Sequence, residues 1–157
     1  MTTPQGSLAQ LDDPVAHHLL QSAIPARLGY TWKDSTPRVT PIWFHWTGAE
    51  FALFSPPNAP KLKVLADGMQ VALAVDHPWP LQSLLVRGPI SLTTVDSRSP
   101  EYATMVERYL GADQVAGWVA QYSDVFPQSI RIAVRPAWVG VIDVVTHLPS
   151  AWLQAGK

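Results

Sequence analysis

"RVTPIWFHWTGAEFALFSPPNAPKLKVLADGMQVALAVD" (residues 38–76) decides how this chain folds, because its periodicity changes four times. "RVTPIWFHW" (38–46) and "FALFS" (51–55) are runs of strand formers separated by the turn "TGAE". "KLKVLAD" (61–67) fits a short helix with Leu62 and Leu65 inward, stopped by Gly68, and "QVALAVD" (70–76) returns to strand. Pro41 stands inside the first of these strands. Proline has no N–H to give to a ladder, so that strand is an edge there, or bulged, or faces something other than a neighbouring strand. "QVALAVD" is too apolar to be half-exposed and is expected in the middle of a sheet.

Working outward, "IPARLGYTW" (24–32) reads as a strand closed by the polar turn "KDSTP". Before it, "DDPVAHHLLQSA" starts a helix, with Asp13 as N-cap and Pro14 at the first helical position. Residues 1–11 are expected to form a loose leader. On the other side, "SLLVRGPISLTTVD" (83–96) is a long strand bent at Gly88–Pro89, as at a bulge or barrel corner. Ser99, Pro100 and Glu101 open a second helix that carries Tyr102, Met105, Val106, Tyr109 and Leu110 on one face. Gly111 ends it, and Asp113 is expected to cap a third helix bearing Val115, Trp118, Val119 and Tyr122. "SIRIAVRPAWVGVIDVV" (129–145) reads as one or two strands interrupted by Pro136, and 146–157 as an irregular tail. Strand and helix do not alternate, which argues against a doubly wound sheet. The expectation is one mainly β domain over 1–157: a small antiparallel barrel of about six strands with peripheral helices, since closure removes exposed edges.

Composition narrows the function classes. Charged residues are 15% of the 157, against roughly 25% in ordinary soluble domains, and there are seven tryptophans. So little charge with so many large rings points to surface buried beyond the chain's own core, in a homo-oligomer or a ligand-filled cleft. The net charge is −1 and no Lys/Arg stripe exists, so a nucleic-acid partner is not expected. With no cysteine there is no disulfide, thiol nucleophile or Cys-based zinc site. No run approaches the roughly 18 apolar residues of a membrane span, and a cytoplasmic protein is the default expectation.

GxSxG, Walker A, GxGxxG and HExxH motifs are all missing. His17 and His18 point to different sides of a helix, while His45, His77 and His147 stand alone, so no metal site is expected. Asp76 and Asp143 end strands and read as turn caps before catalytic acids. Trp43, Trp46, Trp79 and Trp138 read as core or interface residues. Arg87 and Arg135 lie in apolar strands, where an unpaired guanidinium is costly. They meet a carboxylate, an interface or an anionic ligand. The stretch "SPPNAPKLK" (55–63) is either an anion site or a Pro-stiffened loop running into a solvated turn. Lys61 and Lys63 point about 200° apart on a helix, so they cannot share one ligand. Lys61, where loop becomes helix, is the better anion contact. No residue is marked as catalytic acid, base or nucleophile.

In this order and spacing, residues 38–76 together with "LLVRGPISL" and "IRIAVRPAWVGVID" resemble the flavin-binding split barrels of the pyridoxamine 5′-phosphate oxidase-like superfamily. The resemblance covers most of residues 24–145. It implies a six-stranded split β-barrel homodimer that holds FMN, or alternatively F420, at its subunit interface and transfers hydride or electrons to a small molecule. By position, Lys61 falls on the family's basic phosphate-binding residue and Ser55 on the strand-end hydroxyl near the phosphate or ribityl chain. Pro41, Ile42 and Trp43 fall on the strand along the isoalloxazine ring. Arg87 falls on a strand near the interface, from which it would reach the cofactor of the partner chain. Ala59 and Pro60 stand where members often have Ser and a basic residue, so Asn58 is expected to supply the lost hydrogen bond. "VIDVVTHLPSAW" has no counterpart of the substrate-binding Arg and His of the vitamin B6 oxidases, so pyridoxamine phosphate oxidation itself is not implied. A non-enzymatic flavin or tetrapyrrole binder and a ligand-free dimeric scaffold remain as other readings.

Overall fold

Residues 3–146, 148 and 150–155 are described by the computed structural model of the chain. In chain order the elements are α1 (Pro14–Gln21), β1 (Ala26–Thr31), β2 (Pro37–Ile42), β3 (Phe44–Trp46), β4 (Phe51–Ser55), β5 (Gln70–His77), β6 (Gln82–Asp96), α2 (Pro100–Leu110), α3 (Val115–Val125), β7 (Gln128–Val134), β8 (Trp138–Asp143) and α4 (Ser150–Gln154). Three 3-10 turns lie at Leu8–Asp12, Pro60–Lys63 and Ala112–Gln114.

All pairings are antiparallel, in the order β2-β1-β5-β6-β7-β4-β3, with β8 also paired to β6. The two ends of that path, β2 and β3, are halves of one segment interrupted only at Trp43. The sheet therefore curls until its ends are joined through the chain itself. β7 and β8 are likewise halves of one strand running along β6. Counting each interrupted strand once leaves the six strands of a split barrel.

The corner read at Gly88–Pro89 is where β6 changes partners. Arg87 pairs with Trp138 and Ile90 with Val134, so two β6 residues oppose three on the other strand, which is a bulge. The Arg135 N–H donates to Pro89 O (3.1 Å) and the Ala137 N–H to Arg87 O (2.8 Å), which draws the two backbones together. A Cβ on Gly88 would lie 1.8 Å from the Arg135 carbonyl oxygen, so only glycine fits.

Pro41 sits on β2, which pairs with β1 alone among the described residues; of the alternatives weighed for it, the edge is what is found. β5 lies between β1 and β6 as expected, but the expectation of burial on both faces is corrected. Val71, Leu73 and Val75 enter the core, whereas Gln70 and Ala72 are exposed and Ala74 is half-buried. The reason is that, among the described residues, no helix or second sheet layer covers the outer face of β1, β5 and the first half of β6. β4 is the strand buried on both faces. Phe51 and Leu53 pack inside the barrel with Leu28, Phe44, Leu84 and Ile132, while Ala52 and Phe54 pack under α2 against Tyr102, Met105 and Val106.

The Asp13 carboxylate accepts the Val15 N–H (2.8 Å), and α1 buries Ala16, Leu19 and Leu20. Ser99 accepts the Tyr102 N–H to open α2 (3.4 Å). Asp113 does not cap α3: it lies inside a 3-10 turn, and the N-cap is Gln114, whose side chain makes no capping bond. "KLKVLAD" forms only the turn Pro60–Lys63, with Leu65 buried beyond it. The loose leader is also corrected. The Gly6 N–H donates to Val139 O (2.8 Å), the Gln5 side-chain oxygen accepts the Val141 N–H (3.1 Å), and Gln10 is buried. β8 has a free edge, and these residues satisfy it. The tail carries the short helix α4, while residues 1, 2, 147, 149, 156 and 157 lie outside the described residues.

Arg131 on β7 ties the β3–β4 turn to α2 through Glu50 (3.0 Å) and Glu101 (2.5 and 3.0 Å). The hydrogen bonds from Arg131 hold the Glu101 carboxyl below the usual glutamate range. A depressed folded value means that this stabilisation is present above the unfolded pKa and is lost as pH falls through the folded one. Glu101→Gln is therefore expected to be less stable near pH 7 and to show a shallower loss of Tm between pH 5 and pH 3, by circular dichroism. An acid limb as steep as that of wild type would refute this role.

Candidate functional site

Paired residues of an antiparallel sheet share a face. The register therefore writes two rows across the outside of the barrel. One runs Val39, Gly29, Ala72, Arg87, Trp138; the next runs Pro41, Arg27, Ala74, Leu85, Gly140. Gly29 and Ala72 in the first row and Ala74 in the second occupy the middle of the sheet, so its surface is low there. The result is a trough of about 390 Å³ lined by Val39, Gly29, Ala72 and Leu85 together with the two arginines Arg27 and Arg87. Val39 is 69% exposed, an unusual position for a β-branched apolar side chain.

The two arginines differ. Arg27 is ion-paired with Asp76. Arg87 has no ion pair among the described residues; its guanidinium carbon lies 4.1 Å from the centroid of the Trp138 ring, a cation–π contact. Arg135 is exposed at the bulge. Asp143 accepts the Val145 N–H (2.9 Å) and the Thr146 hydroxyl (2.6 Å), as a turn cap does.

Pro41, Ile42 and Trp43 fall on three different sides. Pro41 faces outward beside Arg27, Ile42 packs against the barrel core, and Trp43, at the break, stacks on Tyr109 (4.6 Å, 6°) with Trp118 at 5.7 Å. What this segment offers outside is its backbone edge together with Pro41. At the end of β4, Ser55 is fully buried and its hydroxyl donates to Pro56 O (3.3 Å). Asn58 is exposed on the following turn, as is Lys63. Lys61 is partly buried and has no ion pair among the described residues; burial pushes its ammonium pKa down. An adjacent anion would restore it. Lys61 is not among the residues lining the trough, so one chain does not bring Lys61 and Arg87 into a single pocket.

Sequence reading missed Arg27, Gly29, Val39, Ala72 and Ala74. Strict alternation in "ARLGY" and "QVALA" was the available signal, but it does not say which face is left uncovered. Arg108 was missed as well: it donates to Leu20 O (2.9 Å) and to Phe44 O and lies 4.3 Å from the Phe44 ring, fastening α2 to the barrel. Burial pushes the Tyr102 hydroxyl up to about 12, where it accepts from the Trp118 indole N–H (3.0 Å). Burial also pulls His45 below the usual histidine value. Among the described residues no three His, Asp or Glu side chains converge, and no helix is long and apolar enough to cross a membrane.

No protein-family model matches this sequence, and no curated protein matches it. Solved structures do. An F420 reductase is 25% identical with a TM-score of 0.60, over 79% of this chain and 94% of that one. A protein related to general stress protein 26, of the pyridoxine phosphate oxidase family from Clostridium acetobutylicum, is 12% identical (TM-score 0.58; 82% and 85% covered). The haem storage protein HutZ of Vibrio cholerae is 13% identical (TM-score 0.58; 83% and 93% covered).

Proposed function

We propose that this chain, a split barrel of the pyridoxamine 5′-phosphate oxidase-like superfamily, binds a flavin-type cofactor in a groove built by two copies and acts as an oxidoreductase on a small molecule. The observation that carries the reading is Lys61, a partly buried ammonium without a carboxylate partner among the described residues, one turn beyond the buried end of β4. A partly desolvated cation in that state is stabilised by an anion, and FMN and F420 both carry phosphate. Lys61, Ser55 and Asn58 would receive that phosphate, the edge of β2 at Pro41–Trp43 would flank the planar ring, and Arg87 would come from the partner. The open trough supports a second copy, because a half-apolar sheet face of this kind is ordinarily covered. When bound, the cofactor supplies hydride or electron transfer. The chain's own residues bind the anionic tail, orient the ring and exclude water.

FMN is the first choice, and the likeness to an F420 reductase keeps F420 beside it. Titration of purified protein with each cofactor, followed by tryptophan fluorescence, separates the two. Light scattering on a sizing column is expected to give a dimer. A clean monomer that binds neither cofactor would overturn the reading. Ala59 and Pro60 in the phosphate loop favour a second reading, a tetrapyrrole-holding protein without turnover. A Soret band on adding haemin, with no response to FMN or F420, would select it.

A further inference from the structure

The indole of Trp138 is wedged between two glycines. One is Gly140 on the same strand, where a Cβ would lie 2.6 Å from the ring's Cη2. The other is Gly6, far away in sequence, where a Cβ would lie 2.7 Å from Trp138 Nε1 and 2.9 Å from Cδ1. Gly6 has φ +96°, a conformation that side chains rarely adopt, so the close approach and the backbone both require glycine there. Its position is held by bonds to β8: Gly6 N–H to Val139 O, and the Gln5 carboxamide to both main-chain groups of Val141. The other side of this arrangement is Arg87, paired in register with Trp138, stacked on its ring and lining the trough.

We propose that Gln5 and Gly6 are positioning residues of the ligand site: they lock the Trp138 ring, and the ring holds the Arg87 guanidinium where it meets an anionic group of a ligand in the trough. The amino-terminal segment is thereby part of the binding site although it lines none of it. A guanidinium on a fixed ring loses less side-chain freedom on binding than one on a free stem. This rests on the reading of Arg87 as a ligand contact.

The test uses the full chain with Gly6→Ala, which adds the colliding Cβ, and Gln5→Ala, which releases the segment without adding bulk. Each is titrated with FMN, with F420 and with inorganic pyrophosphate, and the Arg87 side-chain resonances are followed by NMR, assigned by their loss in Arg87→Lys. In wild type the Arg87 δ protons are expected upfield from the indole ring current. Both variants should lose that shift and weaken binding about tenfold, with no further loss when Arg87 is already Gln. Unchanged affinity in both variants, or a loss that persists in full in the Arg87→Gln background, would overturn the proposal. If wild type bound neither cofactor, the redox reading alone would fall. Pyrophosphate would then decide: a response of Arg87 that weakens in Gly6→Ala supports the positioning role, and an unmoved Arg87 resonance refutes it.

Discussion

Gly88→Ala is expected to lower the melting temperature by about 6–12 °C or more. The added methyl would lie 1.8 Å from the Arg135 carbonyl oxygen and 2.8 Å from its carbon, and Ala137 N is the next neighbour at 3.2 Å. All three are main-chain atoms, so no rotamer change relieves the clash. The bulge must open, with loss of the bonds from Arg135 N–H and Ala137 N–H, at the point where β6 leaves β8 for β7. Backbone displacement of this kind costs at least about 3 kcal/mol. In a domain of this size each kcal/mol shifts the transition by roughly 2–4 °C. The same substitution at Gly117 has the opposite sign. Gly117 lies in α3 with no atom within 4 Å of its added Cβ, so alanine there should stabilise by about 0.5–1 kcal/mol through helix propensity. Thermal melts of the two variants by circular dichroism make the comparison, and a Gly88→Ala protein melting with wild type would mean that the corner relaxes freely.

The second large effect is on binding. Lys61→Ala is expected to weaken FMN or F420 at least tenfold, about 1.4 kcal/mol, and Lys61→Glu about a hundredfold, because it adds repulsion to the lost contact. Neither change should destabilise the fold much, since Lys61 makes no ion pair among the described residues and pushes a partly desolvated charge against its loop. The pH dependence follows from the same geometry. Burial lowers the Lys61 ammonium pKa in the free protein, and only the charged form attracts an anion. Affinity should therefore fall as pH rises through that lowered value, with proton uptake on binding near it, and Lys61→Ala should lose this alkaline decline. Calorimetric titrations across neutral to alkaline pH measure both. Equal affinity of Lys61→Ala and wild type would remove Lys61 from the site.

Much of the architecture was legible because its causes are local. Asp13 before Pro14 and Ser99 before Pro100 mark helix starts through side-chain acceptors and fixed φ angles. Pro41 marked a place where the ladder lacks a donor, which left an edge, a bulge or a non-strand neighbour, and the pairing decided for the edge. Gly88–Pro89 announced a corner for the same kind of reason. Asp113 misled, because an acceptor near a helix start caps only if the backbone turns the right way, and there a 3-10 turn intervenes. The docking of Gln5 and Gly6 on β8 had no sequence signal: the partners are more than a hundred residues away, and β8 takes part through main-chain groups that every residue has. Among the site residues, Lys61 was picked out from Lys63 by its place where the loop becomes a helical turn, the helical angle saying only that the two cannot share a ligand, whereas the differing directions of Pro41, Ile42 and Trp43 needed the strand break at Trp43 to be seen.

By itself, then, the sequence determined most of the strands and the starts of α1 and α2, the corner at Gly88–Pro89, and that the strands form a small antiparallel barrel, since periodicity, proline and capping act within a few residues. Only the tertiary structure decided which barrel face stays open and which side chains share it. Arg27 meets Ala74, and Arg87 meets Trp138, through pairings between distant segments. Burial of any one face is the sum of what every remote element covers, and no short stretch of chain carries that sum.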